Sequence, residues 1–342
     1  MVHSAPRTIT PEALDDYLAR GWFRFGGTMR TTRFTVWEER DLRTTLWTRT
    51  RLDDFQWSRS NRRLLSRTRR AFRVVEQPAR LDAAHEALYA RYIRHVGGER
   101  PSTLIDFLGG EDLHACFATR ELALYDGERL VAFSYFDQGR TSLMSLLGVF
   151  DPDLERASLG YATLALEVEH GLQHGLEHHY SGYVLPGEPR MDYKTRIGGM
   201  QFLHPDAMDW QDWEHLDHDL LPDRRTLNAL DRVGRALTRY GVPARRLLNP
   251  LFEIADSPAI TERMVDQPVF LMVGRGGAPI PMVTWDDEAR RYDLWMGVPA
   301  VIRHRRSEEG PEKTTGTALI HQEHGRFGLA ADVVQAVLKL VR

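Results

Sequence analysis

The chain is poor in cysteine, in lysine and in long apolar runs, and each shortage removes a class of protein. Its single cysteine, Cys116, can form no internal disulfide, no CxxC metal site and no cysteine-held iron-sulfur cluster. Cysteine redox chemistry is not expected. No uninterrupted apolar stretch approaches the roughly 20 residues of a membrane-spanning helix, and the opening MVHSAPRTIT lacks the apolar centre of a secretory signal. We therefore expect a soluble, cytoplasmic protein with no membrane partner. Only Lys194, Lys313 and Lys339 are lysines among 45 basic residues. Where arginine is the default, a retained lysine is a candidate for a compact ammonium or a titratable amine. Lys313 sits in a polar loop and Lys339 near the end, so Lys194 is the one to watch.

What is present points to an enzyme-sized chain with a basic front. The 342 residues, 42% of them apolar, suffice for one large domain or two ordinary ones. The net charge of -3 hides an asymmetry: residues 1–74 carry sixteen arginines against eight acids, which leaves -11 for the remainder. A polyanionic partner for the N-terminal part is expected. Residues 58–73 alone hold seven arginines and no acid.

The pattern predicts a helix over 10–19, short strands over 21–50, and an amphipathic helix over 81–96. A strand, the turn Asp126-Gly127-Glu128 and a second strand follow, then a strand over 141–150. A helix capped by Ser158 runs to about His174, and a strand spans 179–185. This β-β-β-α-β order is that of a GNAT-type α/β (α+β) acyltransferase. A helix over 227–240, a hairpin around Gly274 to Pro279 and a terminal helix over 330–340 complete the chain. Three segments are expected: a basic subdomain (1–75), a transferase domain (76–224) and a C-terminal extension (225–342).

The most specific stretch is Asp151-Pro-Asp-Leu-Glu-Arg-Ala-Ser-Leu-Gly160, followed by Tyr180-Ser-Gly-Tyr-Val-Leu-Pro-Gly-Glu-Pro-Arg-Met-Asp-Tyr-Lys194. It resembles the C-terminal half of the aminoacyl-tRNA:protein transferases, the arginyl- and leucyl-transferases of the N-degron pathway, with their DPD…SLG and YxGYxIxxCxKMxYK elements. Upstream, RTRLDDFQWSRSNRR (49–63) looks like that family's basic RxxxxxFxPSRSxRR element, and LYARYIRH (88–95) like its LYxxYxxxRH helix. Four matches fall in the same order. The family's N-terminal cysteine pairs would lie near Thr35 to Leu46, where this chain has none, and Glu188 and Arg190 stand where the loop has cysteine and lysine.

The resemblance implies a reaction in which an acceptor α-amine attacks the ester carbonyl of an aminoacyl-tRNA. Positioning and oxyanion stabilisation can carry such a reaction without a protein nucleophile or a cofactor, and the sequence has no GxSxG elbow. The start of the 158–174 helix (Arg156, Ser158, Leu159, Gly160) is expected to hold the phosphate or ribose end of the aminoacyl-tRNA, with Gly160 permitting close approach. Arg156 to Ala162 also echoes the pyrophosphate loop of acyl-CoA enzymes. Tyr183, Glu188, Tyr193 and Lys194 are the catalytic candidates, with Met191 beside the acceptor. Arg59, Arg62 and Arg63 are expected on tRNA phosphate, and Arg49 and Arg51 on an acidic acceptor residue. Glu167 and Glu169 are candidate bases that read equally as solvated helix acids. His170, His174 and His178 recur every four residues, yet no carboxylate is placed beside them, so no metal is expected. Two alternatives stay open: a tRNA- or protein-binding relative without turnover, and an acyl-CoA-dependent acyltransferase.

Overall fold

Runs of apolar residues across 119–150, buried on both faces, build three long strands of one sheet. The structure, a computed structural model, describes residues 2–4, 8–38, 41–97, 100–110, 116–249, 252, 264–274, 279–305 and 313–341. The chain forms two compact units that interleave in sequence: Val2–Thr31 with Leu46–Leu216, and Thr32–Thr45 with Asp217–Arg342.

In the first unit, β1 (Val2–Ser4), β2 (Phe23–Phe25) and β3 (Thr28–Thr31) make a small sheet beside α1 (Pro11–Ala19). The main sheet has eight strands in the order β13-β12-β6-β11-β10-β9-β8-β7. Its members are β6 (Leu46–Arg51), β7 (Arg73–Pro78), β8 (Thr119–Asp126), β9 (Arg129–Gln138), β10 (Ser142–Phe150), β11 (His178–Val184), β12 (Met200–Leu203) and β13 (Trp210–Asp212). The β8–β9 turn forms because Gly127 takes φ 59°, the left-handed start that a two-residue hairpin requires. Helices α2 (Arg59–Ala71) and α5 (Leu159–Gln173) cover one face through Leu65, Leu143, Ala165, Leu166 and Ile197. On the other face, α3 (Ala83–Val96) and α4 (Leu104–Leu108) bury Leu88, Tyr89, Phe133 and Tyr135, while α1 buries Leu14, Leu18, Trp47 and Tyr180. The order β8-β9-β10-α5-β11 is the GNAT-type α/β arrangement expected from the sequence.

The second unit holds β4 (Phe34–Trp37), β5 (Asp41–Thr44) and α6 (Pro222–Arg239). It also holds a closed five-stranded barrel of β14 (Ala244–Leu248), β15 (Val269–Val273), β16 (Ile280–Asp286), β17 (Arg291–Arg305) and β18 (Lys313–Phe327). Helix α6 and the terminal α7 (Ala330–Val341) seal a core that includes Leu230, Val233, Leu271 and Val337. The turn expected at Gly274 to Pro279 falls partly outside the described residues, but β15 and β16 pair antiparallel on either side of it.

The DPD and LYxxYxxxRH elements meet in one ion-pair knot. Asp151 is fully buried and receives Arg91 at 2.7 Å as well as Arg129, while Arg91 also reaches Asp153 at 2.9 Å. Burial works against the Asp151 charge, but the Asp153 amide, Arg129 and Arg91 outweigh it and hold its pKa below the ordinary value. A depressed carboxylate pKa gives stability that is present above pH ~4 and is lost as pH falls. We expect Asp151→Asn to cost about 1–3 kcal/mol at pH 7 and to shrink the loss of stability on acidification. Urea unfolding at pH 7 and pH 4 checks both, and an unchanged acid dependence would refute the assignment.

Candidate functional site

The central strands part company, and the candidate site lies where they do. β10 and β11 run parallel but pair only over Ser142–Met144 and His178–Tyr180. Beyond that, β10 continues on β9 and β11 continues on β6. The gap opens toward the C-terminal ends of both strands, where the N-terminus of α5 and the 185–198 loop also lie. In open α/β sheets, ligands characteristically bind in a crevice at that end of the strands.

The loop arises from its sequence. Gly182 takes φ 88°, and a Cβ there would stand 3.4 Å from the Lys194 ammonium. Lys194 donates from Nζ to the Tyr183 carbonyl at 3.0 Å, pinning the loop to the strand it leaves. Burial lowers the Lys194 pKa to about 8, against the opposing pull of the Glu167 carboxylate. Burial likewise raises the Tyr193 hydroxyl, with Tyr92 and Glu167 adding to the shift and Arg100 opposing it. The Tyr193 ring meets Tyr161 of α5 edge-on at 6.5 Å. Tyr161 donates to Asn61 Oδ1 at 2.8 Å, and Asn61 Nδ2 donates to the Ile197 carbonyl at 3.2 Å. One buried asparagine thus ties α2, α5 and the loop together.

Glu188 and Arg190 pair with each other at 2.7 Å. The two substitutions in the loop are therefore matched in charge. Met191 turns inward, its sulfur accepting from the Leu185 amide at 3.4 Å. Tyr183 packs edge-on against Trp47 at 5.5 Å.

The helix start differs from expectation at Ser158, which adopts φ 57° and ψ 40° and makes no side-chain cap, because a left-handed residue swings its hydroxyl away from the first turn. Gly160 packs closely, since a Cβ there would stand 3.0 Å from the Phe150 ring. Leu159 is buried, and Arg156 is exposed on the preceding 3-10 turn.

Arg59, Arg62 and Arg63 are exposed on α2 and make no ion pair among the described residues. Their neighbours are engaged: Arg69 pairs with Glu169, and Arg67 donates to the Ala157 carbonyl at 3.3 Å. Arg49 and Arg51 lie elsewhere. Register places Arg49 opposite Tyr180 and Arg51 opposite His178, about 10 Å or more along the strand from Tyr183. Arg49 donates to Gln201 at 2.9 Å and stacks on Trp210, while Arg51 is taken up by Asp54 and Asp53.

The sequence reading missed a buried pair behind the loop. Glu167 on α5 and His179 on β11 are both fully buried, with Glu167 Oε2 and His179 Nε2 3.0 Å apart. Glu167 Oε1 and His179 Nδ1 have no hydrogen-bond partner among the described residues. Glu167 is therefore not the solvated acid that its helical position suggested; Glu169 is held by Arg69. Arg100, Tyr92 and Tyr161 also act on Tyr193, and of these only Tyr92, in the LYARYIRH helix, belongs to a motif read from the sequence.

Residues 84–204 match the family described as "Arginine-tRNA-protein transferase, C terminus". An aspartate/glutamate leucyltransferase of Stenotrophomonas maltophilia strain K279a is 32% identical over 48% of this chain and 67% of that protein. One from Acinetobacter baumannii strain ATCC 17978 is 29% identical over 54% of this chain, and the chain spans 65% of that relative's length. Among solved structures, L-PGS from Bacillus licheniformis aligns with a TM-score of 0.33 and 12% identity over 43% of this chain and 49% of that one. On the family match and the Stenotrophomonas maltophilia relative, the chain belongs to the aminoacyl-tRNA:protein transferase family that its motifs resemble.

Because Asn61 bridges three elements while almost wholly buried, Asn61→Ala is expected to cost about 1–3 kcal/mol by stranding the Tyr161 hydroxyl and the Ile197 carbonyl. Tyr161→Phe should cost less. Denaturant unfolding measures both, and amide exchange should rise across residues 193–198 in Asn61→Ala. Unaltered exchange there would show that Asn61 does not hold the loop.

Proposed function

We propose that this chain transfers an amino acid from an aminoacyl-tRNA to the N-terminal α-amine of a protein or peptide. The observation that carries the reading is the convergence of Lys194, Tyr193 and the start of α5 at the parting of β10 and β11, within a chain of this family. Arg59, Arg62 and Arg63 on α2, exposed and without an ion pair among the described residues, suit tRNA phosphate, since guanidinium forks match phosphate oxygens. The names of the relatives support an acceptor that begins with aspartate or glutamate.

The chemistry is balanced without a protein nucleophile. The acceptor nitrogen attacks the ester carbonyl, the carbonyl oxygen gathers charge, and the bond to the terminal ribose oxygen breaks. The amine proton leaves as the ribose hydroxyl is restored. The half-buried Lys194 ammonium supplies positive charge at the developing oxyanion. Tyr193, kept neutral by burial, is a hydroxyl donor beside it.

This assignment sets the pH profile. The acceptor amine must lose its proton, which with a pKa of roughly 7.7–8.0 gives a rate that climbs toward pH 8. Lys194 loses its charge near pH 8, so the rate should fall above it. Lys194→Ala should lower kcat about 10²-fold or more and abolish the alkaline fall, while Lys194→Arg should retain that charge to higher pH. Single-turnover rates from pH 6.5 to 10 test this, and an alkaline fall that survives in Lys194→Ala would remove Lys194 from the role.

The basic helix has its own signature. Replacing Arg62 and Arg63 with Ala should weaken binding of many tRNA species alike and flatten its salt dependence by about one unit of slope per lost contact. Filter binding across a salt series measures it; equal slopes would exclude α2 as the phosphate surface. Peptide labelling that persists after tRNA is digested, with acyl-CoA as donor, would favour the acyl-CoA reading instead.

A further inference from the structure

The HxxxH repeat of α5 acquires from the fold what the sequence did not place beside it. Glu76 of β7, 94 residues upstream, brings its carboxylate to His170. One ligand atom from each of Glu76, His170 and His174 lies within 4.8 Å of the others. We propose that these three residues form a site for a divalent transition cation of the zinc class, clamping β7 to the C-terminal end of α5. The proposal stands independently of the transfer reaction.

The hydrogen bonds around the two rings fix where their lone pairs point. His174 Nδ1 is 2.8 Å from the His170 carbonyl, which can only accept, so Nδ1 carries the proton and Nε2 is bare. His170 Nε2 is 3.0 Å from Gln138 Oε1, so that nitrogen donates and Nδ1 is the bare one. Outer partners of this kind set the tautomer of metal-bound histidines. The bare His170 Nδ1 then faces Glu76 Oε2 at 3.0 Å, two acceptors in contact. With the Gln138 oxygen facing Nε2 that contact calls for a cation, a metal or a proton; with the Gln138 amide turned, Nδ1 would donate to Glu76 instead.

The two imidazoles lie 4.0 Å apart between ring centres, and one bound divalent ion would satisfy both rings at once. Arg120 holds the other Glu76 oxygen, Oε1, and leaves Oε2 toward the rings. Its charge reduces cation affinity and orients the carboxylate. Two imidazoles and a carboxylate form a recurrent zinc set, with metal distances of roughly 2.0–2.2 Å and a fourth position for water.

The test uses full-length, untagged, chelator-stripped protein. Titration with Zn²⁺ in a calorimeter should show one site per chain, and Co²⁺ should give visible ligand-field absorption. His174→Ala removes an exposed ring and should leave apo stability unchanged while weakening Zn²⁺ about tenfold or more; Glu76→Gln should do the same to affinity. Zn²⁺ should raise the melting temperature of the wild type and of neither variant. Absence of Zn²⁺ binding at micromolar concentration overturns the proposal. So does Zn²⁺ binding that both variants keep undiminished, since the metal would then sit on other histidines.

Discussion

Three residues of parallel pairing between β10 and β11 govern the rest of the main unit. Were the two strands paired along their full length, their C-terminal ends would be closed by backbone hydrogen bonds and no side chain could enter. Because they separate after Met144 and Tyr180, each must satisfy its backbone on an outer neighbour, β9 or β6. Gly182 is the local means: its positive φ accompanies the register shift between Tyr180 and Gly182 opposite β6 and turns the strand away. Just past that turn the Tyr183 carbonyl accepts from Lys194 at 3.0 Å. Strand geometry and the placement of the amine are thus one event.

Features that depend on near neighbours in sequence were readable in advance. The β8–β9 hairpin follows from Gly127, whereas residues 58–73 show in the sequence as an arginine run and as a helix only in the structure. Features that depend on burial were not. Helix α5 is buried on nearly every side, so its periodicity does not separate Glu167, which faces inward, from Glu169, which reaches Arg69. The Ser158 side chain read as a cap because residue type was legible and backbone φ was not. Arg49 and Arg51 looked like companions of Lys194 because nothing in the sequence states the β6–β11 register that separates them.

The Glu188–Arg190 pair shows why a resemblance must be judged by structure as well as by pattern. Viewed singly, each departs from the family's loop. Together they make an ion pair of the kind that holds a short turn, with Glu188 also accepting from the Arg190 amide. An exposed pair of this kind contributes at most about 1 kcal/mol, so it shapes the loop more than it stabilises the fold. Met191, Tyr193 and Lys194, the residues the loop presents, are retained.

A fully buried carboxylate is costly unless positive charge or hydrogen bonds answer it. Glu167 has one oxygen on His179 and the other without a hydrogen-bond partner among the described residues, with Lys194 the nearby cation whose pKa it raises against burial. The two groups depend on each other: without Lys194 the carboxylate would lose its counter-charge, and without Glu167 the Lys194 pKa would fall further and the ammonium would be lost below pH 8. Arginine could not replace lysine here on equal terms, since its fork needs several acceptors where the loop offers the Tyr183 carbonyl. That accounts physically for a lysine retained at position 194 in a chain that otherwise uses arginine.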